Sequence, residues 1–318
     1  MLIQILLIFL GLALLVLGAD WLVKGASALA KRYNVSDLAI GLTIVAFGTS
    51  APELVVNTFA SYQNHQDIVF GNVIGSNNFN LFIILGLTGL LSPLVVQSST
   101  VWKEIPISFI AIILLYLFAN PFFSTGAASL SRIEGFVLLL MFGLFFIYVY
   151  KQLKTDLAEP EIVQNKLSSF KIVGLVILGL AGLVIGGRFV VINAIELATT
   201  LGMSEKIIGL TIVAAGTSLP ELATSVVAVL KKNNDIAVGN VIGSNIFNIF
   251  FILAASSLIN PIKYDTAFNT EIYLLAAGTI FLFIAMFTGQ RKKLDRWEAL
   301  ILLVVYLAYM VYLIKKES

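Results

Sequence analysis

Ten apolar runs follow one another along the chain, at about 2–23, 37–61, 68–91, 104–119, 133–150, 170–198, 206–230, 236–259, 270–288 and 297–314. A helix of roughly 17–25 apolar residues crosses a bilayer. The pattern therefore predicts ten transmembrane helices and an all-α polytopic membrane protein. The fourth run is short, and Pro106 suits the first turn of its helix, where a missing N–H costs little. One polar stretch, Lys151–Lys171, divides the runs into two sets of five. The expected organisation is a first five-helix repeat at 1–150, a connecting loop at 151–169 and a second five-helix repeat at 170–318. The connecting stretch is too short for a soluble domain.

The two halves resemble each other in detail. Gly41–Leu54 (GLTIVAFGTSAPEL) returns as Gly209–Leu222 (GLTIVAAGTSLPEL), with 12 of 14 residues identical. Gly71–Asn80 (GNVIGSNNFN) returns as Gly239–Asn248 (GNVIGSNIFN), with 9 of 10 identical. Both pairs are offset by 168 residues, as are Gly18 with Gly186 and Ala30 with Ala198. A fixed offset over separate segments signals a duplication. An odd number of helices per repeat makes the second copy enter from the opposite side. The basic residues are distributed accordingly. With both termini outside, the inside loops carry 13 Lys and Arg and the outside loops 5. Cationic loops stay on the cytoplasmic side. Inverted repeats of this kind build secondary transporters, with the substrate site at their interface near the midplane.

Composition strengthens the membrane reading. Of 318 residues, 59% are hydrophobic and 12% charged, and the mean hydropathy is +0.98. Soluble domains carry about 25% charged residues. The net charge of +2 offers no basic surface for nucleic acid. The absence of cysteine excludes disulfides and thiolate metal sites. No basic residue precedes Lys24, so the first run reads as a retained helix rather than a cleaved signal.

The repeated stretches hold the chemistry. Each sets a glutamate, Glu53 or Glu221, inside an apolar run, and a carboxylate at membrane depth is expensive enough to mark a functional site. Pro52 and Pro220 remove a backbone donor and free a carbonyl one turn earlier, near Gly48 in the first copy. Such a carbonyl needs a partner or a cavity. Ala46 and Ala214 lie in that turn. Thr49, Ser50 and Glu53 share a helix face, as do Thr217, Ser218 and Glu221. The second motif adds Ser76 with Asn80, and Ser244 with Asn248, each pair four residues apart. Its glycines (Gly71, Gly75, Gly239, Gly243) permit close helix approach or a local break. An all-oxygen set with two carboxylates and no His or Cys suits hard cations such as Ca²⁺ or Na⁺. One Ca²⁺ balances the two carboxylates. Asn72, Asn77, Asn240 and Asn245 are expected to bond between helices, Asp20 to pair with Lys24, and His65 to sit in a solvated loop. No P-loop, GxSxG, HExxH or dinucleotide motif appears in a fitting context.

Gly-Thr-Ser-x-Pro-Glu followed by Gly-Asn-x-Ile-Gly-Ser-Asn, in both halves, resembles the alpha-repeats of the cation/calcium exchanger superfamily. The closest resemblance is to the short prokaryotic sodium/calcium exchangers. Proton/calcium members typically have Gly-Asn-x-x-Glu in place of the first motif. The large cytosolic loop of animal members is missing here. The resemblance implies that Glu53 and Glu221 are carboxylates shared by Ca²⁺ and Na⁺. It implies carbonyl ligands at Thr49 and Thr217 for Ca²⁺ and at Ala46 and Ala214 for Na⁺. Hydroxyl ligands are implied at Ser50, Ser218, Ser76 and Ser244, and central polar positions at Asn80 and Asn248. The Asn248 position is Asp in several relatives, the K⁺-dependent exchangers among them. The first and sixth helices are expected to slide as a pair against the rest.

The resulting expectation is an antiporter exchanging Na⁺ for Ca²⁺ by alternating access in a prokaryotic cell membrane. It needs no cofactor, no obligate protein partner and no nucleic acid. The alternatives are exchange of H⁺ for Ca²⁺ and transport of another divalent cation. A passive channel is disfavoured by the inverted repeats, and an enzyme by the lack of a nucleophile–base pair. The topology is directly testable. Single cysteines at Gln63 and Lys231 are expected to react with a membrane-impermeant reagent from opposite sides. Reaction of both from one side would remove the inversion.

Overall fold

A computed structural model of the chain describes residues 1–120, 122, 128–155, 167–201, 214–289 and 292–317. Helices α1 (Leu2–Tyr33), α2 (Asp37–Thr49), α3 (Ala51–Tyr62), α4 (Gln66–Leu91), α5 (Thr100–Ala119) and α6 (Arg132–Thr155) form the first half. The second half has α7 (Ser169–Thr200), α8 (Leu219–Leu230), α9 (Asn234–Ile259), α10 (Thr266–Ala285) and α11 (Arg296–Glu317). Eight of these are long and apolar enough to cross a membrane, and α2 with α3 make a ninth candidate bent by 47°. The run expected at 206–230 is described from Ala214 onward; 206–213 lies outside the described residues.

Local chemistry sets the helix ends. Ser36 caps α2 by accepting from the Ala39 N–H at 3.3 Å, and Ser168 caps α7 by accepting from Lys171 N–H at 3.3 Å. Helix α1 stops at Asn34, which is left-handed (φ 52°), behind Lys31 and Arg32 in its last turn. Two boundaries differ from the sequence reading. Helix α1 runs on to Tyr33, well past the apolar run at 2–23, whereas α7, also 32 residues long, matches the run at 170–198. At about 1.5 Å per residue they exceed a hydrocarbon core of about 30 Å, so they must tilt or project. Helix α5 begins at Thr100, not near 104. Its first turn, Thr100–Glu104, is a wide π turn, and Pro106 follows it rather than opening the helix.

Helices α4 and α9 occupy the buried centre and run antiparallel, with Asn77 against Asn248 and Asn80 against Asn245. Helix α9 meets α2 backbone to backbone. A Cβ on Gly239 would stand 2.9 Å from Leu38 O, and one on Gly243 2.8 Å from the Ala46 Cβ. These two glycines serve close approach, as their spacing suggests. Two short antiparallel ribbons tie loops at opposite ends of α4. Leu94–Val95 (β1) pairs with Lys293–Leu294 (β4), and Ser129–Leu130 (β2) with Ile262–Lys263 (β3).

Helices α1 and α7 pack along one another with opposed directions. Gly11 lies against Gly186, Gly18 against Gly179 and Leu183, and Gly25 against Val176. Their outer faces carry exposed Leu, Ile, Val and Phe, as lipid-facing helices do. Asp20 pairs with Lys24 as expected (2.6 Å) and also with Lys231 at the end of α8 (2.6 Å).

A methyl on Gly18 would meet Leu183 N at 2.7 Å and Gly179 O at 2.8 Å, and neither backbone atom can swing aside. Gly18→Ala is therefore expected to destabilise the protein by about 1–3 kcal/mol, the range for overpacking. Gly174→Ala, on α7, meets nothing within 4 Å among the described residues and should be neutral or stabilising. Thermal unfolding of both variants in detergent checks the contrast; equal Tm values would mean that the helix pair is not held by this contact.

Candidate functional site

Each glutamate sits just after a break. Ser50 (φ −82°, ψ 7°) separates α2 from α3, and Ser218 (φ −89°, ψ 6°) separates the turn Ala214–Gly216 from α8. Both prolines, Pro52 and Pro220, fall in the first turn after the break, where no helical N–H is missed. The break turns Thr49 and Ser50 toward α9 and Thr217 toward α4, while Glu53 faces Ser76 of α4 and Glu221 faces Ser50 at the α2–α3 break. Gly48 and Gly216 border the same breaks and are covered by Leu180 and Val191 of α7.

The bonds cross between halves. Ser50 Oγ donates to Glu221 Oε1 at 2.9 Å, and Ser218 Oγ donates to Glu53 Oε1 at 3.4 Å. Ser244 Oγ lies 3.0 Å from Ser50 Oγ, and Ser76 Oγ lies 3.5 Å from Glu53 Oε1. Thr49 Oγ1 donates to Asn240 Oδ1 at 3.0 Å, and Thr217 Oγ1 to Asn72 Oδ1 at 3.1 Å. Asn240 in turn donates to Ser225 Oγ (3.0 Å), and Asn72 to Asn57 Oδ1 (2.6 Å). The Ser–Glu and Thr–Asn bonds between halves have counterparts 168 residues on.

Glu53, Glu221, Ser50, Ser218, Ser76, Ser244, Thr49, Asn80 and Asn248 are all buried, and Thr217 is half-buried. The neighbours named for the two carboxylates are neutral hydroxyls. Glu53 Oε2, Glu221 Oε2, Asn80 Oδ1 and Asn248 Oδ1 are buried and have no hydrogen-bond partner. An unpartnered buried acceptor is costly. Of the four, two are carboxylate and two amide oxygens, the donor type that suits a hard cation. Ala46 O accepts from Ser50 N–H at 3.0 Å and also stands 3.3 Å from the Thr49 hydroxyl. Ala214 opens its turn at the equivalent place.

Asn72, Asn77, Asn240 and Asn245 bond between helices, as their spacing suggested. Asn57 and Ser225 escaped the sequence reading, although they are equivalent positions one turn beyond the glutamates. So did the wide π turns Phe79–Ile84 and Asn248–Leu253. Such turns re-aim side chains and cluster at functional sites. His65 is exposed in the loop between α3 and α4.

The family described as "Sodium/calcium exchanger protein" matches residues 3–151 and 171–315. The chain belongs to this exchanger family. The exchanger is 34% identical to the sodium/calcium exchanger MaX1 of Methanosarcina acetivorans over 98% of both chains. It is 37% identical to the inner membrane protein YrbG of Escherichia coli over 88% of both. Among solved structures it resembles the sodium-calcium exchanger NCX_Mj, with a TM-score of 0.83 and 34% identity over 98% of both chains. Its family and structural neighbours are transporters, not enzymes.

Glu53→Gln and Glu221→Gln each keep the side-chain shape and delete one buried charge. Both variants are expected to fold, with a Tm in choline medium no lower than that of the parent exchanger. The parent should gain about 2.7 kcal/mol at Ca²⁺ near a hundred times its Kd, and both variants should lose that gain. Ca²⁺ stabilisation retained in either would put the cation elsewhere.

Proposed function

We propose that the exchanger is a Na⁺/Ca²⁺ antiporter of ten transmembrane helices in two inverted five-helix repeats, with both termini outside a prokaryotic cell membrane. One observation carries this reading. Two buried carboxylates, one from each half, are held only by neutral hydroxyls and keep unpartnered oxygens. Their formal charge of −2 is matched by one Ca²⁺ or by two or three Na⁺ with nearby dipoles. The two ion sets compete for the same oxygens, which is the logic of exchange. The ligand set comprises Glu53, Glu221, Ser50, Ser218, Ser76, Ser244, Asn80 and Asn248, with backbone oxygens of Thr49, Thr217, Ala46 and Ala214.

The antiparallel contact of equivalent segments supports the inversion. Gly18 and Gly186 are equivalent and lie on opposed helices, and so are Asn77 and Asn245. The glycines between α1 and α7 lock the two into one body that can slide against the remaining helices, a shear motion of small amplitude. Leu180 and Val191 of α7 cover the two breaks, so a slide of that helix changes what stands over each half of the site. MaX1 and NCX_Mj are named as sodium/calcium exchangers, which favours Na⁺ as the counter-ion here.

Proteoliposomes loaded with Na⁺ are expected to take up ⁴⁵Ca²⁺, and those loaded with choline are not. Equal uptake from choline vesicles would sink the sodium assignment, and uptake driven by an acid interior would favour H⁺ exchange. Transport is further expected not to need K⁺. The positions Asn80 and Asn248 are neutral amides, so one Ca²⁺ already balances the site and a co-bound K⁺ would add an uncompensated charge. Collapse of flux when K⁺ is replaced by choline on both sides, at clamped potential, would refute this charge count.

A further inference from the structure

We propose that Asn77 and Asn245 are positioning residues that fix which end of the Asn248 and Asn80 amides is presented to the cation. The proposal rests on the antiporter reading above and adds to it the residues that decide the donor set. A primary amide has an oxygen that attracts a cation and an NH₂ that repels one. Something must choose between them at Asn80 and Asn248, and the bonding around the centre does so.

The argument runs from backbone outward. Asn77 Nδ2 lies 3.2 Å from the Asn245 backbone carbonyl, and Asn245 Nδ2 lies 3.4 Å from the Asn77 backbone carbonyl. A backbone carbonyl only accepts, so the side-chain end facing it must be the NH₂. That places Asn77 Oδ1 and Asn245 Oδ1 on the other side. Asn77 Oδ1 stands 2.9 Å from Asn248 Nδ2, and Asn245 Oδ1 stands 3.0 Å from Asn80 Nδ2. An amide oxygen also only accepts, so Asn248 and Asn80 must turn their NH₂ groups to it. Their own oxygens are then the ends left free, and both are buried without a partner. Asn80 stands one helical step from Ser76, which reaches Glu53, and Asn248 holds the same relation to Ser244. Released from this arrangement, each amide could rotate and aim its NH₂ at the carboxylates. It would then satisfy them with hydrogen bonds and close the site to cations.

The geometry also separates this role from scaffolding. Both bonds of Asn77 join α4 to α9, so a scaffold would be weakened by losing either, whereas the orientation of Asn248 depends on Oδ1 alone. Asn77→Asp keeps an oxygen facing Asn248 and loses the NH₂. Asn77→Leu is of similar size and loses both.

The test is the Ca²⁺ KM and maximum rate of Na⁺-driven uptake by the full chain in proteoliposomes, at pH 6 and pH 9. Asn77→Leu is expected to raise KM about tenfold, with the maximum rate within about threefold of the parent. Asn77→Asp is expected to keep KM within about threefold at both pH values. An unchanged KM in Asn77→Leu overturns the proposal. So does equal impairment of both variants, or a rescue by Asp at pH 6 alone, where its O–H could replace the lost NH₂ as donor. If Asn77→Leu is not recovered folded, the same pair is made at Asn245. Failure of both Leu variants, with both Asp variants transporting at near-parental KM, upholds the acceptor role; failure of all four overturns it. A parent chain without Na⁺-driven uptake would instead defeat the antiporter reading, which keeps the two failures distinct.

Discussion

Two buried carboxylates with no opposing cationic side chain among the described residues are the constraint on which this structure depends. Burying such a pair is unfavourable unless something answers the charge. The chain answers it with dipoles. Ser50 and Ser218 supply hydroxyls from one half to the glutamate of the other. Thr49 and Thr217 are held in turn by Asn240 and Asn72. The polar network is thus built in layers, with a short inner layer of hydroxyls and an outer layer of amides. Satisfied groups are used to aim unsatisfied ones. The oxygens left without partners at Asn80 and Asn248 follow from this layering, because Asn77 and Asn245 are each oriented by a backbone carbonyl that cannot change its role.

Small residues make that layering possible. Gly239 and Gly243 let α9 come within contact distance of the α2 backbone, which brings Asn240 and Ser244 to Thr49 and Ser50. A side chain at either glycine would push the helices apart by more than the hydrogen bonds tolerate. Gly11, Gly18, Gly179 and Gly186 do the same for α1 and α7, with a different result. There the middle of the contact is glycine and apolar side chains, and a Gln4–Glu196 hydrogen bond of 2.9 Å ties one end of the pair.

Much of this could be read from residue order. Glutamate, hydroxyl and proline recur at 49–53 and 217–221, and Ser and Asn recur at 76–80 and 244–248. Spacing on a helix face predicts which of them converge. The bridging role of Asn77 and Asn245 was also legible, because four equivalent amides inside apolar helices need one another. Three features were not. The π turns at Phe79–Ile84 and Asn248–Leu253 arise when packing shifts the register by one residue, and no residue type announces that. The full length of α1 was hidden because Lys24, Lys31 and Arg32 fall in its last turns, beyond the apolar run at 2–23. Buried Glu104, which accepts from the Tyr148 hydroxyl, reads in sequence as an ordinary charge at a helix end.

The reciprocal contact at the centre, Asn77 to Asn245 and Asn245 to Asn77, has the form found where two copies of one protein meet on a two-fold axis. In such a dimer the same patch faces itself, and any substitution enters both sides together. Here both patches lie on one polypeptide, so each can change alone. Asn57 and Ser225 show the freedom used: they hold equivalent places behind Asn72 and Asn240 but carry different side chains. A single chain can therefore give the two faces of its centre unequal chemistry, which a true homodimer is denied by symmetry.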